Sequence, residues 1–355
     1  MFVILNHTEN LDAQQLNTSR CYSLTMSEFK NIFIYVSDAL RYDYVPDSIA
    51  EEGNVIPTLT PGSYTPISFS SMLSGMNPSG HTVRSFYDTL ENETFFDIFE
   101  NHCYYDHPDS AMAKNVFGNH ITSKELSEME EPFLYVERAL DTHTPYGEVG
   151  HGNDIPDDQS QEGDNKKLYK EGVESTEKHF RDHVEELKEL GLYKDTLIIF
   201  TSDHGELLGK KMLGKNRYGH NKPVCRELNV GPTVFVNYEE DGWNRARFID
   251  LIPTALDIIG RESLERIDGK SLNKELPEKG ETMIQVSMKP PIIAKNNWYY
   301  KDGWKPGISK IKTDIATVVS DYLDNWKRKY RNRYRDRNNK NEEVEDVELL
   351  DGLEV

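Results

Sequence analysis

Three short segments of the chain are apolar at nearly every position, and polar residues follow each of them. These segments are Asn31–Ser37, Pro132–Glu137 and Thr196–Thr201, and they are rich in β-branched and aromatic side chains. They lack the alternation of a half-exposed strand, and such runs are typical of strands buried on both faces of a sheet. The pattern therefore predicts a central, mostly parallel β-sheet.

Two other segments have the period of an amphipathic helix. The first runs from about Lys166 to Leu190 and is followed by Gly191, a residue suited to a helix C-terminus. The second covers residues 249–260, with a proline near its start and a glycine at its end. Helices that alternate with buried strands predict an α/β fold, a mixed, mostly parallel sheet sandwiched between helices.

The patterns after Ser271 are weaker. Residues 297–300 predict an edge strand, and Asp302-Gly303 predicts a hairpin turn. From Trp326 a basic run leads into an acidic end, which is typical of a solvated helix or a disordered extension, with a docking arm for an acidic partner as the alternative. We therefore divide the chain into an N-terminal extension (1–30), a main domain (31–305) and a small charged C-terminal tail (306–355).

Charge and cysteine content narrow the classes of protein. The net charge of -20 and the pI near 5.0 argue against nucleic acid and anionic membranes as partners, since both would repel the chain. No apolar run approaches the roughly 20 residues of a membrane span. The chain start lacks the apolar core of a signal peptide, and the three widely spaced cysteines fit reduced thiols. These features predict a cytoplasmic protein.

Polar residues after the buried strands are the candidates for chemistry, because ligands of such sheets bind at the carboxyl ends of the strands. Asp38 follows the first buried strand, and Asp203 and His204 follow the last. Two carboxylates and an imidazole suit a divalent cation such as Mn²⁺, Mg²⁺, Ca²⁺ or Zn²⁺. Taken alone, Asp38 equally fits a helix N-cap, and Asp203-His204 fits an ordinary loop.

The segment 62–75 places a hydroxyl, that of Thr65, at the turn that opens a predicted helix. Free N–H groups and the helix dipole attract anions to such a position. Taken alone, Thr65 reads as an N-cap or as part of a side-chain turn. Together with two aspartates at neighbouring strand ends, it becomes a candidate nucleophile.

These segments, in this order, resemble the sulfatases of the alkaline-phosphatase superfamily, in a threonine-nucleophile variant of archaeal type. The resemblance covers about residues 30–305 and implies an alkaline-phosphatase-like fold, with 31–305 as a catalytic domain. It also implies one divalent metal ion, bound by Asp38, Thr65, Asp203 and His204. The matching stretches are 31–41, 65–75 with Pro78 and His81, 141–146, 200–209, 230–232, 250–254 and 268–272.

The chain departs from the sulfatase pattern at the nucleophile. Sulfatases carry Cys or Ser at the position of Thr65, with Pro and Arg where this chain has Ile67 and Phe69, for conversion to formylglycine. This chain cannot form that aldehyde hydrate at Thr65. Thr here resembles the phosphodiesterase, phosphonate-hydrolase and lipoteichoic-acid-synthase branches, in which a Thr hydroxyl attacks phosphorus directly. Ala39 also replaces a second acidic residue of the family, so the site resembles a single-metal arrangement.

The resemblance implies a metal-dependent hydrolase of a small anionic sulfate or phosphate ester. Thr65 would be the nucleophile, His143 would donate a proton to the leaving oxygen, and His220 and Lys215 would add positive charge, with Lys211 as the alternative to Lys215. Both histidines equally fit structural roles.

Two further residues, Asp141 and Arg41, lie in the matching stretches, and two other functions fit the same residues. Asp141 is a candidate ligand of a second metal, although one metal is favoured, and Arg41 is expected to be structural. One alternative is a phosphotransferase of lipoteichoic-acid-synthase type that hands the threonine-bound group to an alcohol. The other is a degenerate, non-catalytic binding protein. The sequence does not define the oligomeric state.

Overall fold

The computed structural model describes residues 29–107, 110–118, 124–144, 146, 165–212, 215–220, 224–240, 242–288 and 291–307. Most of the predicted N-terminal extension and nearly all of the predicted charged tail lie outside these residues. The division of the chain into 1–30, 31–305 and 306–355 therefore stays a prediction. Within the described ranges, no helix combines the length and the apolar character needed to span a lipid bilayer.

The described residues form strands and helices that alternate along the chain. The longer helices are α2, α4 and α6, and short 3-10 turns and one π turn connect several elements. The strands are β1 (Asn31–Ser37), β2 (Ile56–Leu59), β3 (Asn101–Tyr105), β4 (Phe133–Ala139), β5 (Thr196–Thr201), β6 (Lys210–Met212), β7 (Lys215–Arg217), β8 (Val230–Phe235), β9 (Ala246–Arg247), β10 (Lys279–Met288), β11 (Pro291–Tyr300) and β12 (Trp304–Pro306); the helices are α1 (Asp47–Ala50), α2 (Thr65–Ser74), α3 (Pro78–His81), α4 (Asn165–Glu189), α5 (Arg226–Asn229) and α6 (Leu251–Ile258).

A seven-stranded mixed sheet in the order β3-β4-β1-β5-β8-β2-β9 forms the centre. In this sheet β8 runs antiparallel to both neighbours, and the other pairs are parallel. The predicted bounds of β1 and β5 match those observed, and β4 begins one residue later and ends two residues later than predicted. The prediction of an α/β fold with a mostly parallel sheet is confirmed.

Alternate residues of β1 point into two separate hydrophobic cores, one on each face of the sheet. Ile32, Ile34 and Val36 join the core that includes residues of α2 and α6. Phe33 and Tyr35 join the core that includes the buried face of α4. Because both faces are covered, every residue of β1 is buried, which explains its continuous apolar pattern.

A second sheet, with the order β10-β11-β12, corrects one prediction. Residues 297–300 do not form an edge strand, because β11 pairs with β10 on one side and with β12 on the other. Trp298 is fully buried, and its indole N–H donates to Thr282 Oγ1 over 3.0 Å. The predicted turn at Asp302-Gly303 is confirmed, since it joins β11 to β12 with positive φ angles of 51° and 120°.

Two histidines of α4 pair with carboxylates on or just after β4. His183 Nε2 lies 2.8 Å from Glu137 Oε2, and His179 Nδ1 lies 3.1 Å from Asp141 Oδ1. The bond to Asp141 raises the pKa of His179. Burial alone would raise the pKa of Asp141, but hydrogen bonds from His179 and Ser175 outweigh it and lower that pKa. These contacts attach α4 to the edge of the sheet at which β4 ends.

Removing the Phe200 ring should destabilise the fold strongly. The ring stacks on Tyr35 at 5.8 Å and meets Phe180 edge-on at 5.1 Å, with no exposure to solvent. We expect Phe200→Ala to lower the free energy of unfolding by about 3–5 kcal/mol in urea denaturation, because a cavity replaces the ring. Tyr87→Ala is the control, since Tyr87 is 92% exposed. A similar loss in both variants would contradict the packing described here.

The pair of Asp141 and His179 should make stability depend on pH. The carboxylate contribution is present above pH 3.8 and is lost as pH falls through its lowered pKa. The imidazole contribution is present below pH 6.5 and is lost as pH rises through its raised pKa. We expect His179→Asn to cost more stability at pH 6 than at pH 8.5 in urea denaturation. Lys178→Gln, an exposed change on the same helix, should cost the same at both pH values.

Candidate active site

The carboxyl ends of β1 and β5 lie side by side, because the two strands are parallel neighbours. Asp38 directly follows β1, and Asp203 and His204 follow β5 after one intervening serine. All three side chains are fully buried, and a donor atom of each lies within 4.8 Å of the others. The structure thus brings together the residues that the sequence predicted as metal ligands.

Thr65, the predicted nucleophile, lies at the same place. Its hydroxyl donates to Asp38 Oδ2 over 3.3 Å and lies 3.4 Å from His204 Nε2. Thr65 is the first residue of α2, and the N-cap position belongs to Tyr64, which makes no side-chain cap. The capping interpretation of Thr65 is therefore wrong, and its hydroxyl faces the acidic cluster instead.

The donor set fits a divalent cation. Asp38 Oδ1 and Asp203 Oδ2 are buried and have no hydrogen-bond partner among the described residues. Each lies 3.5 Å from His204 Nε2. The other ring nitrogen of His204, Nδ1, lies 3.0 Å from the carbonyl of Gly205, which can only accept, so Nδ1 is the donor in this contact and Nε2 is the ring atom that faces the two oxygens. Two buried carboxylate oxygens without partners around one imidazole nitrogen form a donor set that suits a divalent cation.

The pKa shifts of the two aspartates show that two negative charges at this site require nearby positive charge. Burial, and then the charge of Asp38, raise the pKa of Asp203 to about 8. Burial also acts to raise the pKa of Asp38, but the positive charge of Arg138 outweighs it, and that pKa is lowered well below its usual range. The buried pair thus resists carrying two negative charges, and cation binding would favour the ionised form of Asp203.

Backbone contacts fix the loop that carries these ligands. Asp203 Oδ1 accepts from the N–H groups of His204 at 2.9 Å and Ala39 at 3.2 Å. Ala39 adopts a left-handed conformation with φ of 65°, which turns its N–H toward Asp203. Gly205 passes so close to the segment before β8 that a Cβ atom there would lie 1.9 Å from the carbonyl oxygen of Glu227. The Gly of the Asp-His-Gly sequence is thus required by backbone packing.

His143 and His220 border the cluster, as predicted. The His220 ring stacks on His204 with centroids 4.4 Å apart and lies 5.4 Å from the His143 ring. Each directs Nδ1 to a backbone carbonyl, of Thr144 and Ser63 respectively, so their Nε2 atoms carry lone pairs. Burial lowers the pKa of His143 to about 4, so this imidazole is neutral at pH 7. Their catalytic roles stay predictions.

Two other candidates, Asp141 and Arg41, do not join the cluster. Asp141 accepts from Ser175 and His179 of α4, so its carboxylate belongs to the α4 contact and not to a second metal site. Arg41 forms two hydrogen bonds with the exposed carboxylate of Asp43, which fits the structural role expected of it.

The predicted lysines lie on the small β6–β7 hairpin. Lys211 is exposed, and for Lys215 the structure describes only the backbone. Their contribution of positive charge to the site therefore stays a prediction.

Arg138 and Asp106, which are not among the predicted site residues, also belong to the surroundings of Asp38. Arg138, near the end of β4, contacts Asp38 Oδ2 with Nε at 2.8 Å and Nη2 at 2.6 Å. Its Nη1 lies 3.2 Å from Asp106 Oδ2. An arginine that interrupts a buried strand was the available signal, because a buried guanidinium needs a carboxylate partner.

Comparisons with known proteins identify the family. The model of the family described as Sulfatase matches residues 68–260, a range that includes Asp203 and His204. The low-salt glycan biosynthesis sulfotransferase Agl7 of Haloferax volcanii is 33% identical over 307 residues, 78% of this chain and 75% of that protein. The multifunctional alkaline phosphatase superfamily protein PehA of Trinickia caryophylli is 40% identical over 97 residues, which cover 26% of this chain and 18% of PehA.

Solved structures share the fold at low sequence identity. BT1596, a 2-O GAG sulfatase, is 13% identical and superposes with a TM-score of 0.58. The match covers 87% of this chain and 94% of the BT1596 chain. The phosphonate monoester hydrolase of Agrobacterium radiobacter is 12% identical and has a TM-score of 0.58. The match covers 86% of this chain and 96% of the hydrolase chain. Together with the sulfatase match and the sulfotransferase relative, these similarities identify the protein as an enzyme of the ester hydrolase or transferase kind. The chain belongs to the sulfatase family of the alkaline-phosphatase superfamily.

Proposed function

We propose that this protein cleaves a small anionic sulfate or phosphate ester by attack of Thr65 on sulfur or phosphorus, with one divalent metal ion bound at the attacking oxygen. One observation carries the proposal. Thr65 Oγ1 lies 3.3 Å from Asp38 Oδ2 and 3.4 Å from His204 Nε2, beside two carboxylate oxygens without partners. An alcohol becomes a useful nucleophile only where a base takes its proton or a cation lowers its pKa, and this cluster offers a carboxylate acceptor and a set of cation ligands.

Asp38, Thr65, Asp203 and His204 would hold the cation. When bound there, it would lower the pKa of the Thr65 hydroxyl and neutralise charge on the ester. The Thr65 proton is directed at Asp38 Oδ2, its acceptor in the structure. As the bond from Oγ1 to phosphorus or sulfur forms, the bond to the ester oxygen breaks on the opposite side, and that oxygen takes a proton.

His143 is the proposed donor of that proton. The imidazole is neutral in the substrate-free protein at pH 7, because burial lowers its pKa to about 4. The negative charge of a bound ester would raise that pKa, so the proton would be taken up together with the substrate. His220, stacked on His204, would donate a hydrogen bond to a non-bridging oxygen of the ester.

The threonine-bound group leaves only by a second attack. Thr65 has one hydroxyl and cannot expel the group as an aldehyde hydrate would, so another nucleophile has to displace Oγ1 from phosphorus or sulfur. Water would make the protein a hydrolase, and the hydroxyl of an acceptor would make it a transferase. The Haloferax volcanii relative, named as a sulfotransferase of glycan biosynthesis, supports transfer to a glycan hydroxyl as the second candidate. A cytoplasmic location, phosphodiester substrates and the exclusion of nucleic acid stay predictions.

Replacing Thr65 should separate chemistry from metal binding. We expect Thr65→Ala to lower kcat by on the order of 10³-fold or more, because no other group takes over the covalent step. The two aspartates and His204 remain, so the metal content measured by plasma mass spectrometry should stay close to one ion per chain. Turnover at the wild-type rate would refute the nucleophile assignment.

Two matched variants complete this test. Thr65→Ser keeps the hydroxyl and should retain a measurable part of kcat. Asp203→Ala removes one of the orphaned oxygens and should lose metal and turnover together. Wild-type protein that binds no stoichiometric divalent cation would favour the non-catalytic alternative instead.

Product analysis should decide between hydrolysis and transfer. We expect turnover of at least one member of a panel of nitrophenyl sulfate, phosphate monoester, phosphate diester and phosphonate substrates, tried with Mn²⁺, Mg²⁺, Ca²⁺ and Zn²⁺. Nitrophenol release is measured with and without a sugar acceptor. The free anion, which is sulfate, phosphate, a phosphate monoester or a phosphonate according to the substrate, is measured beside it. Equal release of nitrophenol and free anion, unaffected by the acceptor, supports a hydrolase. Nitrophenol release that needs the acceptor and leaves no free anion supports a transferase.

A further inference from the structure

Arg138 is a buried cation directly behind the proposed metal ligand Asp38. Its side chain is 8% exposed and lies between the carboxylates of Asp38 and Asp106, which are 0% and 1% exposed. We propose that Arg138 is a positioning residue, which holds Asp38 so that one carboxylate oxygen is reserved for the metal ion. This inference rests on the proposed function, because it concerns the same site.

The two oxygens of Asp38 have different partners. Oδ2 accepts from Arg138 Nε at 2.8 Å, from Arg138 Nη2 at 2.6 Å and from the Thr65 hydroxyl at 3.3 Å. Oδ1 has no hydrogen-bond partner among the described residues and lies 3.5 Å from His204 Nε2. Rotation of the carboxylate would break the three contacts at Oδ2. The contacts of one oxygen therefore fix the direction of the other, and Asp38 can bind a cation through a single oxygen.

On the side away from Asp38, Arg138 is held by a second carboxylate, that of Asp106. Its Nη1 lies 3.2 Å from Asp106 Oδ2, which also accepts from the Tyr104 hydroxyl at 3.0 Å and from the hydroxyl of Ser110. The second oxygen of Asp106 accepts the N–H of His107 at 2.7 Å. The guanidinium is thus clamped between two carboxylates and cannot follow Asp38 if that side chain turns. Such outer contacts commonly set the orientation and the affinity of a metal ligand.

The flat shape of the guanidinium, and not only its charge, accounts for these contacts. Nε and Nη2 reach one carboxylate oxygen on one side, while Nη1 reaches a second carboxylate on the other. The ammonium group of a lysine is a point charge on a flexible stem and cannot make this three-point contact. Charge and geometry are therefore separable by a single substitution at position 138.

The test is Arg138→Lys in the full chain, with Mn²⁺ as the probe. The EPR signal of unbound Mn²⁺ is measured in a titration at one fixed pH. We expect the Kd for Mn²⁺ to rise about 10–100-fold, the usual effect of losing an outer-shell partner of a metal ligand. Arg247→Lys is the matched control, because Arg247 forms a similar forked pair with Asp250 that does not touch the site. Its Kd should match that of the wild type.

Thermal unfolding in the presence of a chelator would show whether Arg138→Lys folds. If it does not fold, a second variant, Asp106→Asn, is tested instead. Asp106→Asn leaves the guanidinium on Asp38 but removes the charged acceptor behind it. We expect its Kd for Mn²⁺ to rise several-fold.

Each outcome bears on a different claim. If Arg138→Lys, or Asp106→Asn in its place, binds Mn²⁺ as tightly as the wild type, the positioning role is refuted while the proposed function stands. Wild-type protein that binds neither Mn²⁺ nor another divalent cation would refute the proposed function itself.

Discussion

Two buried carboxylates, Asp38 and Asp203, lie side by side at the ends of adjacent parallel strands, and the rest of the site is arranged around them. Such a pair is unfavourable without compensating positive charge, because burial and mutual repulsion both oppose ionisation. Arg138 compensates Asp38, whereas burial and the charge of Asp38 raise the pKa of Asp203. The proposed divalent cation would compensate the charge of Asp203 as well.

The fold provides this arrangement through strand direction and burial. Because β1, β4 and β5 are parallel neighbours, the residues that follow them emerge at one edge of the sheet. Helix α2 brings Thr65 to the same edge, and its residues are all buried. Thr65, the proposed nucleophile, therefore lies on a fully buried helix that packs into one of the two hydrophobic cores, which limits how far its hydroxyl can move from Asp38.

The sequence predicted the parts of the structure in which local pattern and tertiary environment agree. The strands 31–37 and 196–201 have continuous apolar patterns because helices cover both faces, so their bounds were predictable. Asp38, Asp203 and His204 could be placed together because residues that follow adjacent parallel strands emerge at one edge of a sheet. Thr65 was added because its segment resembles the sulfatase pattern.

Other features depend on partners that the local pattern does not specify. Residues 297–300 looked like an edge strand because nothing in them reveals that β11 pairs on both sides. Arg138 went unnoticed because its two carboxylate partners come from β1 and from the end of β3, far away in the chain. Asp141 looked like a ligand until α4 supplied it with a histidine and a serine.

The reversed direction of β8 has a consequence for how such a site can diversify. Since β8 runs opposite to β5 and β2, it enters the sheet at the edge where those strands end, and the segment before it packs against Gly205. Insertions ahead of β8 would therefore reshape the wall around a substrate without disturbing the strand ladder. A family built on this topology can change what it recognises by altering loop length there, while Asp38 and Asp203 stay at the ends of β1 and β5.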